Sequence, residues 1–354
     1  MIRKNAKWFV YLIILAFAAP FLMKALGCND TPPSNSIAEE KPLPTLEIPS
    51  FSADSAYVFT DKIVGMSPRV VGTEGSQKVK AYLIQQFKKY GADIVEQPFE
   101  VKTFDGKTHA AVNIIARCNL QATKRILLSA HWDSRPFADS REQTDVSKRN
   151  QPILGADDSG SAVGMLIEMA RQLQAKPLSN IGVDVLLFDA EDYGDTTKAA
   201  PTSEAQAQAR DKTWALGAQY WGAKPHVAGY TAAYGINLDM AGAQNARFAK
   251  DLYSQKFAGN IVERVWRVAR FHGFGSYFVD ESASFEMLDD HIYVNKLAKI
   301  PMIDVFNNPA ETRGFGKYWH THNDNMQVID KNTLKAVGQT LLSLLHYENA
   351  GAFN

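Results

Sequence analysis

The sequence has no excess of charge of either sign: 38 basic and 38 acidic residues give a formal net charge of +0 at pH 7. No basic stripe stands out. Phosphate-backbone binding draws on clustered Lys and Arg, so nucleic acid is not an expected partner. Cysteine is nearly missing, with Cys28 and Cys118 alone in the chain. That excludes a disulfide framework, and Cys118, inside the strand-like "VNIIARCNL", reads as a small buried filler. There is no internal repeat and no long block of like charge, so the acidic residues are not a solvated tail. The uncharged stretch Trp8–Met23 falls short of the ~20 apolar residues a spanning helix needs. What is present is ordinary globular composition, 45% hydrophobic and 21% charged over 354 residues, enough chain for one large or two medium domains.

Arg3, Lys4 and Lys7 precede the uncharged stretch and Lys24 follows it, the arrangement of a signal peptide. Small residues lead to Cys28, and "ALGC" resembles the lipobox of bacterial lipoproteins, which implies a lipidated Cys28 as the mature N-terminus. The plainer reading is an uncleaved N-terminal anchor. Either one implies an exported, membrane-anchored protein, facing the periplasm or the outer surface. Pro32, Pro33, Pro42, Pro44 and Pro49 make the next segment an extended tether. The expected organisation is a signal or lipoprotein segment over 1–28, a Pro-rich tether over 29–50 and a single domain over 51–354.

Within that domain, the spacing of apolar residues predicts helices over Ser52–Ile63, Ser76–Tyr90, Ser161–Leu173 and Asn332–Tyr347. "RILLSA" (Arg125–Ala130), "GVDVLLFDA", "YGINLDMAG" and "IPMIDVF" read as buried strands. Strands alternating with helices imply an α/β fold, a three-layer α/β/α sandwich around a mostly parallel or mixed sheet. Two long polar insertions, Pro136–Pro152 and Gly194–Thr213, interrupt it, and long loops in compact domains are commonly functional.

Chemistry-bearing groups recur at the ends of these strands. "SAHWDS" carries His131 and Asp133, "GADDSG" Asp157 and Asp158, and "LLFDAEDYGD" Asp189, Glu191, Asp192 and Asp195. "NLDMAG" carries Asp239, and "WHTHNDN" carries His320 and His322. Each alone has a bland reading, such as a helix cap at Asp158 or a hydrogen-bonded core histidine at His131. Together they line up along the carboxyl edge of one sheet, where α/β proteins bind ligands. Carboxylates gathered there repel one another unless a cation joins them, and His with Asp or Glu is a zinc-type donor set.

At these residues the chain resembles the zinc-dependent glutaminyl cyclases, which share their fold with the two-zinc aminopeptidases. The matching segments are "SPRVVGTEGS", "LLSAHWDS", "ILGADDSGSAVGMLIEMAR", "LLFDAEDYG", "NLDMAGA", "LDDHI" and "YWHTHNDN", spanning about Phe51 to the C-terminus. The resemblance implies that Asp158, Asp192 and His320 bind zinc and that Glu191 is the general acid/base. It makes Asp289 and Asp239 a pair of acids beside the reacting amide. Trp319 and Phe315 belong to the substrate pocket, and Ser159 to its hydrogen-bond network. The substrates implied are peptides or proteins with an N-terminal Gln. Several positions depart from the animal enzymes. Asp192 replaces a Glu ligand and Asp304 replaces a histidine. Ala130 and Val163 stand where a disulfide would be. Trp214 is the candidate for a tryptophan otherwise missing after the ligand pair. Asp189 is assigned a structural role.

The rival within the fold is a two-zinc aminopeptidase, with His131 and Asp239 holding the second metal. Asp289 discriminates: bonded to Asp239, it removes a ligand from that metal. A rival of another class, a surface binding protein with a degenerate site, is disfavoured because Glu191 and every ligand are kept.

Overall fold

The computed structural model describes residues 42–197, 202–312 and 314–353. The signal or lipobox segment and Cys28 lie outside them. Strands run β1 (Asp93–Lys102), β2 (Thr108–Cys118), β3 (Arg125–His131), β4 (Gly182–Phe188), β5 (Tyr234–Asp239), β6 (Phe248–Lys250), β7 (Phe278–Ser282) and β8 (Met302–Phe306). Helices run α1 (Ala53–Met66), α2 (Glu74–Lys89), α3 (Ala162–Ala175), α4 (Glu204–Asp211), α5 (Leu216–Ala223), α6 (Leu252–Phe271), α7 (Asp290–Tyr293) and α8 (Lys331–Asn349).

Six strands form one sheet in the order β1-β2-β4-β3-β5-β8, while β6 and β7 pair separately. β3, β4, β5 and β8 are parallel. β1 and β2 join them as an antiparallel edge. All seven residues of β4 and all six of β5 are buried, as expected of parallel strands covered on both faces. Side chains alternate between the two faces. Ile115, Leu127, Leu186 and Phe188 meet Ala218 and Trp221 of α5 on one side. On the other, α3 lies on β3, and α1 and α8 pack against α3. This is the expected three-layer α/β/α arrangement. Gly164 is where α1 and α3 touch: a Cβ there would sit 2.8 Å from the Ala56 carbonyl oxygen.

The predicted helices are present with shifted ends, set by caps. Ser52, Thr73 and Asp330 accept from the amides of Ser55, Ser76 and Thr333, each at 3.2 Å, and so start α1, α2 and α8. Asp158 caps nothing. Strand β1, the short β6 and β7, and helix α6 had no counterpart in the sequence reading. The insertion Gly194–Thr213 contains α4 rather than being wholly irregular. Cys118 is partly exposed, not a core filler; among the described residues it is free, and burial pushes its thiol up to about 11. The end of the Pro-rich segment lies on the domain: the Glu47 carbonyl accepts from Lys176 Nζ at 2.5 Å and that of Pro49 from Gln339 Nε2 at 3.1 Å. Among the described residues no helix is long and apolar enough to cross a membrane.

Under α5, Trp221 Nε1 donates to His226 Nδ1 at 3.2 Å, and burial lowers the His226 pKa to about 4. The folded state therefore refuses a proton that the unfolded chain accepts near pH 6.5. This histidine's contribution to stability is complete above pH ~6.5 and is lost as pH falls toward 4. Thermal melts of His226→Asn should show a shallower loss between those pH values than the parent; equal slopes would refute the assignment.

Candidate active site

The carboxyl ends of β3, β4 and β5 deliver His131, the Asp189–Asp192 turn and Asp239 to one edge of the sheet, and the 314–325 loop brings in His320. Three of the residues that turn the chain there lie in the left-handed region: Ala190 (φ 57°), Met240 (φ 46°) and His320 (φ 54°). Such positions cost about 1–3 kcal/mol each and persist where surrounding contacts enforce them.

Two donor sets share one carboxylate. His320 Nε2 lies 3.0 Å from Asp192 Oδ1 and 3.6 Å from Asp158 Oδ2. His131 Nε2 lies 2.9 Å from Asp158 Oδ1 and 3.3 Å from Asp239 Oδ1. Asp158 thus turns one oxygen to each set. Both sets are buried, with ligand atoms within 4.8 Å of one another. Asp158 Oδ2 and Asp192 Oδ2 are buried with no hydrogen-bond partner among the described residues. Uncompensated buried carboxylate oxygens facing an imidazole nitrogen fit a divalent cation, and the His/Asp chemistry fits zinc.

Burial dominates the proton affinities. It drives Glu191 well above the usual carboxylate range; Asp192, Asp289 and Asp290 add to the rise, and His131 opposes it. It carries Asp239 up to about 8, with Asp158 and Asp289 contributing. Burial also pushes Asp158 up, but the bond from His131 and the charges of His131, His320 and Arg135 leave it below its ordinary value.

The supporting shell was mostly invisible in the sequence. Asp133 accepts from the Glu191 and Asp192 amides at 3.1 and 3.2 Å and fixes that turn. Arg69, fully buried, donates to the carbonyls of Trp132 (2.8 Å), Leu154 (2.6 Å) and Gly155 (2.9 Å). Asp324 accepts from the Asp157 and Asp158 amides at 2.8 and 3.2 Å. Asp139 faces His320 Nδ1 at 3.5 Å and is held at 2.8 and 2.7 Å by Arg135, which also donates to the Asp192 carbonyl at 2.9 Å. One signal was available: Arg69 is a lone charge beside the apolar "VV" of "SPRVVG".

Several expected residues do other work. Asp157 accepts from Tyr318 Oη at 2.5 Å and the Gly242 amide at 2.7 Å, bracing the loop beside the ligands. His322 belongs to neither donor set; its amide donates to Gln143 Oε1 at 3.2 Å. Asp189 accepts from the Val112 amide at 2.8 Å, the structural role anticipated for it. Ser159 Oγ donates to the Leu238 carbonyl at 3.2 Å. The charge of Asp289 helps raise the proton affinity of Asp239. Asp289 Oδ2 accepts from Asn237 Nδ2 at 3.1 Å, and Asp289 groups with His291 and Asp304 in a third buried cluster. Asp239 also pairs with His131 Nε2, at 3.3 Å.

A cavity of about 480 Å³ opens onto Asp158, Glu191, Asp192, Asp239 and His320. Aromatic rings wall it. Trp319 stacks on His320 with 3.6 Å between ring centroids, and Phe315 on Trp319 at 4.4 Å. Trp214 comes across the insertion to lie parallel to His320 at 6.1 Å, as the sequence suggested. A Cβ on Gly194 would overlap its indole.

Residues 113–345 match peptidase family M28, and the chain belongs to that family. The Bacteroides thetaiotaomicron glutaminyl cyclase bound to N-acetylhistamine is 41% identical, with a TM-score of 0.79, covering 85% of this chain and 99% of that one. A Zn-dependent exopeptidase from Parabacteroides distasonis is 43% identical, with a TM-score of 0.79 over 84% of this chain and 99% of that one. A glutaminyl-peptide cyclotransferase of Drosophila melanogaster is 27% identical over 295 residues, 77% of this chain and 74% of the relative.

The Asp139–His320 contact is the kind of outer partner that orients a ligating imidazole. Asp139→Asn should weaken zinc binding about 10- to 100-fold, measured by competition with a chelating dye. An unchanged affinity would show that Asp139 merely neutralises Arg135.

Proposed function

We propose that this protein is a zinc-dependent glutaminyl-peptide cyclotransferase, an acyltransferase that converts an N-terminal Gln of peptides or proteins to pyroglutamate with release of ammonia. The observation that carries this reading is one cavity that joins Glu191 and the Asp158–Asp192–His320 set to the aromatic wall built on Trp319. The similarity to bacterial glutaminyl cyclases supports it.

Asp158, Asp192 and His320 would hold one zinc, which when bound supplies Lewis acidity to the γ-carbonyl oxygen. Glu191, free of those ligands, takes a proton from the α-amine as its nitrogen bonds to the γ-carbon. It then passes the proton to the amide nitrogen, whose bond to that carbon breaks to free ammonia. Glu191's displaced proton affinity suits a group that must both accept and donate. Asp239, with Asp289 behind it in the field, supplies hydrogen bonding to the amide. Trp319, Phe315 and Trp214 press the side chain toward its own amine and exclude water, so ring closure gains from proximity. The N-terminal pattern supports an exported protein held at a membrane through lipidated Cys28 or an N-terminal anchor, carrying a catalytic domain over 51–354.

A second reading has its own observation: Asp239 lies 3.3 Å from His131, and the His131–Asp158–Asp239 set could take another metal. Two metals and hydrolysis, with Glu191 as base to a water, would make an aminopeptidase.

Mass spectrometry of a Gln-initiated peptide separates the two. The cyclase yields the intact chain less one ammonia; the aminopeptidase yields free glutamine and a shortened peptide. Glu191→Gln should keep its zinc and lose about 10²–10⁴-fold in kcat, whereas Asp192→Ala should lose the metal. Full activity in Glu191→Gln would remove it from the mechanism. Elemental analysis of the purified protein should give one zinc for the cyclase; two zincs, the second lost in His131→Ala, would favour the peptidase.

A further inference from the structure

The two long insertions each place an arginine on the wall of the same cavity: Arg141 from Pro136–Pro152 and Arg210 from α4. The reaction uses neither. Arg141 is exposed, and its guanidinium has no hydrogen-bond or ion-pair partner among the described residues. Among the described residues the Arg210 guanidinium pairs with its chain neighbour Asp211, at 3.5 Å, with side chains 39% and 36% exposed, a pair worth little in water. The acids on this part of the wall are engaged. Asp195 accepts from the Thr197 amide at 2.9 Å and its hydroxyl at 2.6 Å, and Glu286 interacts with the Tyr253 hydroxyl.

The cavity therefore carries a buried group of carboxylates and, on its wall, two arginines beside the hydrogen-bonded Asp195 and Glu286. A peptide that enters amine first and advances about 3.3 Å per residue when extended has its following side chains left to meet the rest of the lining, where Arg141 and Arg210 lie. Charges arranged this way select partners and speed encounter.

We propose that Arg141 and Arg210 form an anion-recognising rim, which favours Gln peptides carrying an Asp or Glu side chain immediately after the N-terminal residue. The proposal rests on the Gln-peptide reading above and names a substrate class within it.

The test compares Gln-Glu-Phe-amide with Gln-Lys-Phe-amide. Dissociation constants are measured by calorimetry on the zinc-loaded full chain carrying Glu191→Gln. The Glu peptide should bind about two- to fivefold tighter per arginine, the range for exposed pairs. The preference should vanish when Arg141→Ala and Arg210→Ala are added. It should also shrink with salt, as the screening length falls from about 30 Å at 0.01 M to about 3 Å at 1 M. Equal binding in the parent, or a preference that survives both substitutions, overturns the proposal. Ammonia release by the unsubstituted chain is scored separately. A Glu preference without ammonia sinks the cyclase alone; ammonia without a preference sinks the rim alone.

Discussion

The constraint on which the rest of the structure depends is electrostatic. Asp158, Glu191, Asp192, Asp239, Asp289, Asp290 and Asp304 are all buried at or beside the carboxyl edge of one sheet. His131, His291, His320, Arg69 and Arg135 face them as cation-forming groups among the described residues. Carboxylates brought that close out of water must take up protons or share a cation. The shell around them answers that demand with backbone amides and a few deeply placed cations. Asp324 is satisfied by amides, and Asp133 by amides and the neighbouring His131 imidazole. Arg69 holds the strand-end carbonyls, so the turns that carry the ligands cannot relax away from one another.

The fold positions this cluster by ordinary means. Four parallel strands lie side by side, and the turns beyond β3, β4 and β5 carry short acidic or histidine-bearing runs. Asp158 lies at the entry to α3, fixed by Asp324, and faces both histidines at once. The aromatic wall comes from segments distant in sequence, Trp214 after one insertion and Phe315 and Trp319 in the last loop. Chemistry and shape are therefore supplied by different parts of the chain.

Much of this was legible in the sequence. β3, β4, β5 and β8 announce themselves as apolar runs, and the ligand residues stand where those runs stop. β1 was not legible because it is an edge strand with a mixed pattern and Pro98 inside it. β6 and β7 are too short to show a period, and α6 carries a break at Ala258. In the site, Asp133, Asp158, Glu191, Asp192 and His320 stood out as metal-capable types at strand ends, while their separate roles came from the family resemblance. Arg69, Arg135, Asp139 and Asp324 did not, because they act on backbone groups or on other side chains, and sequence spacing says nothing of those contacts. Asn237, which donates to Asp289, was hidden for the same reason: an asparagine within an apolar strand looks unremarkable.

Arg135 carries a consequence for how such a site can diversify. Its guanidinium grips the Asp192 carbonyl and Asp139, and its planar face lies 4.9 Å from the Trp214 ring. One side chain thus braces the metal-type ligands and the pocket wall together. The wall cannot be remodelled freely by changing the loop that bears Trp214, because a displaced indole exposes the guanidinium and loosens its hold on the ligand turn. Lineages that reshape this pocket must alter the arginine and the loop together. A small molecule that wedges the indole aside would act on the ligand turn without touching a ligand.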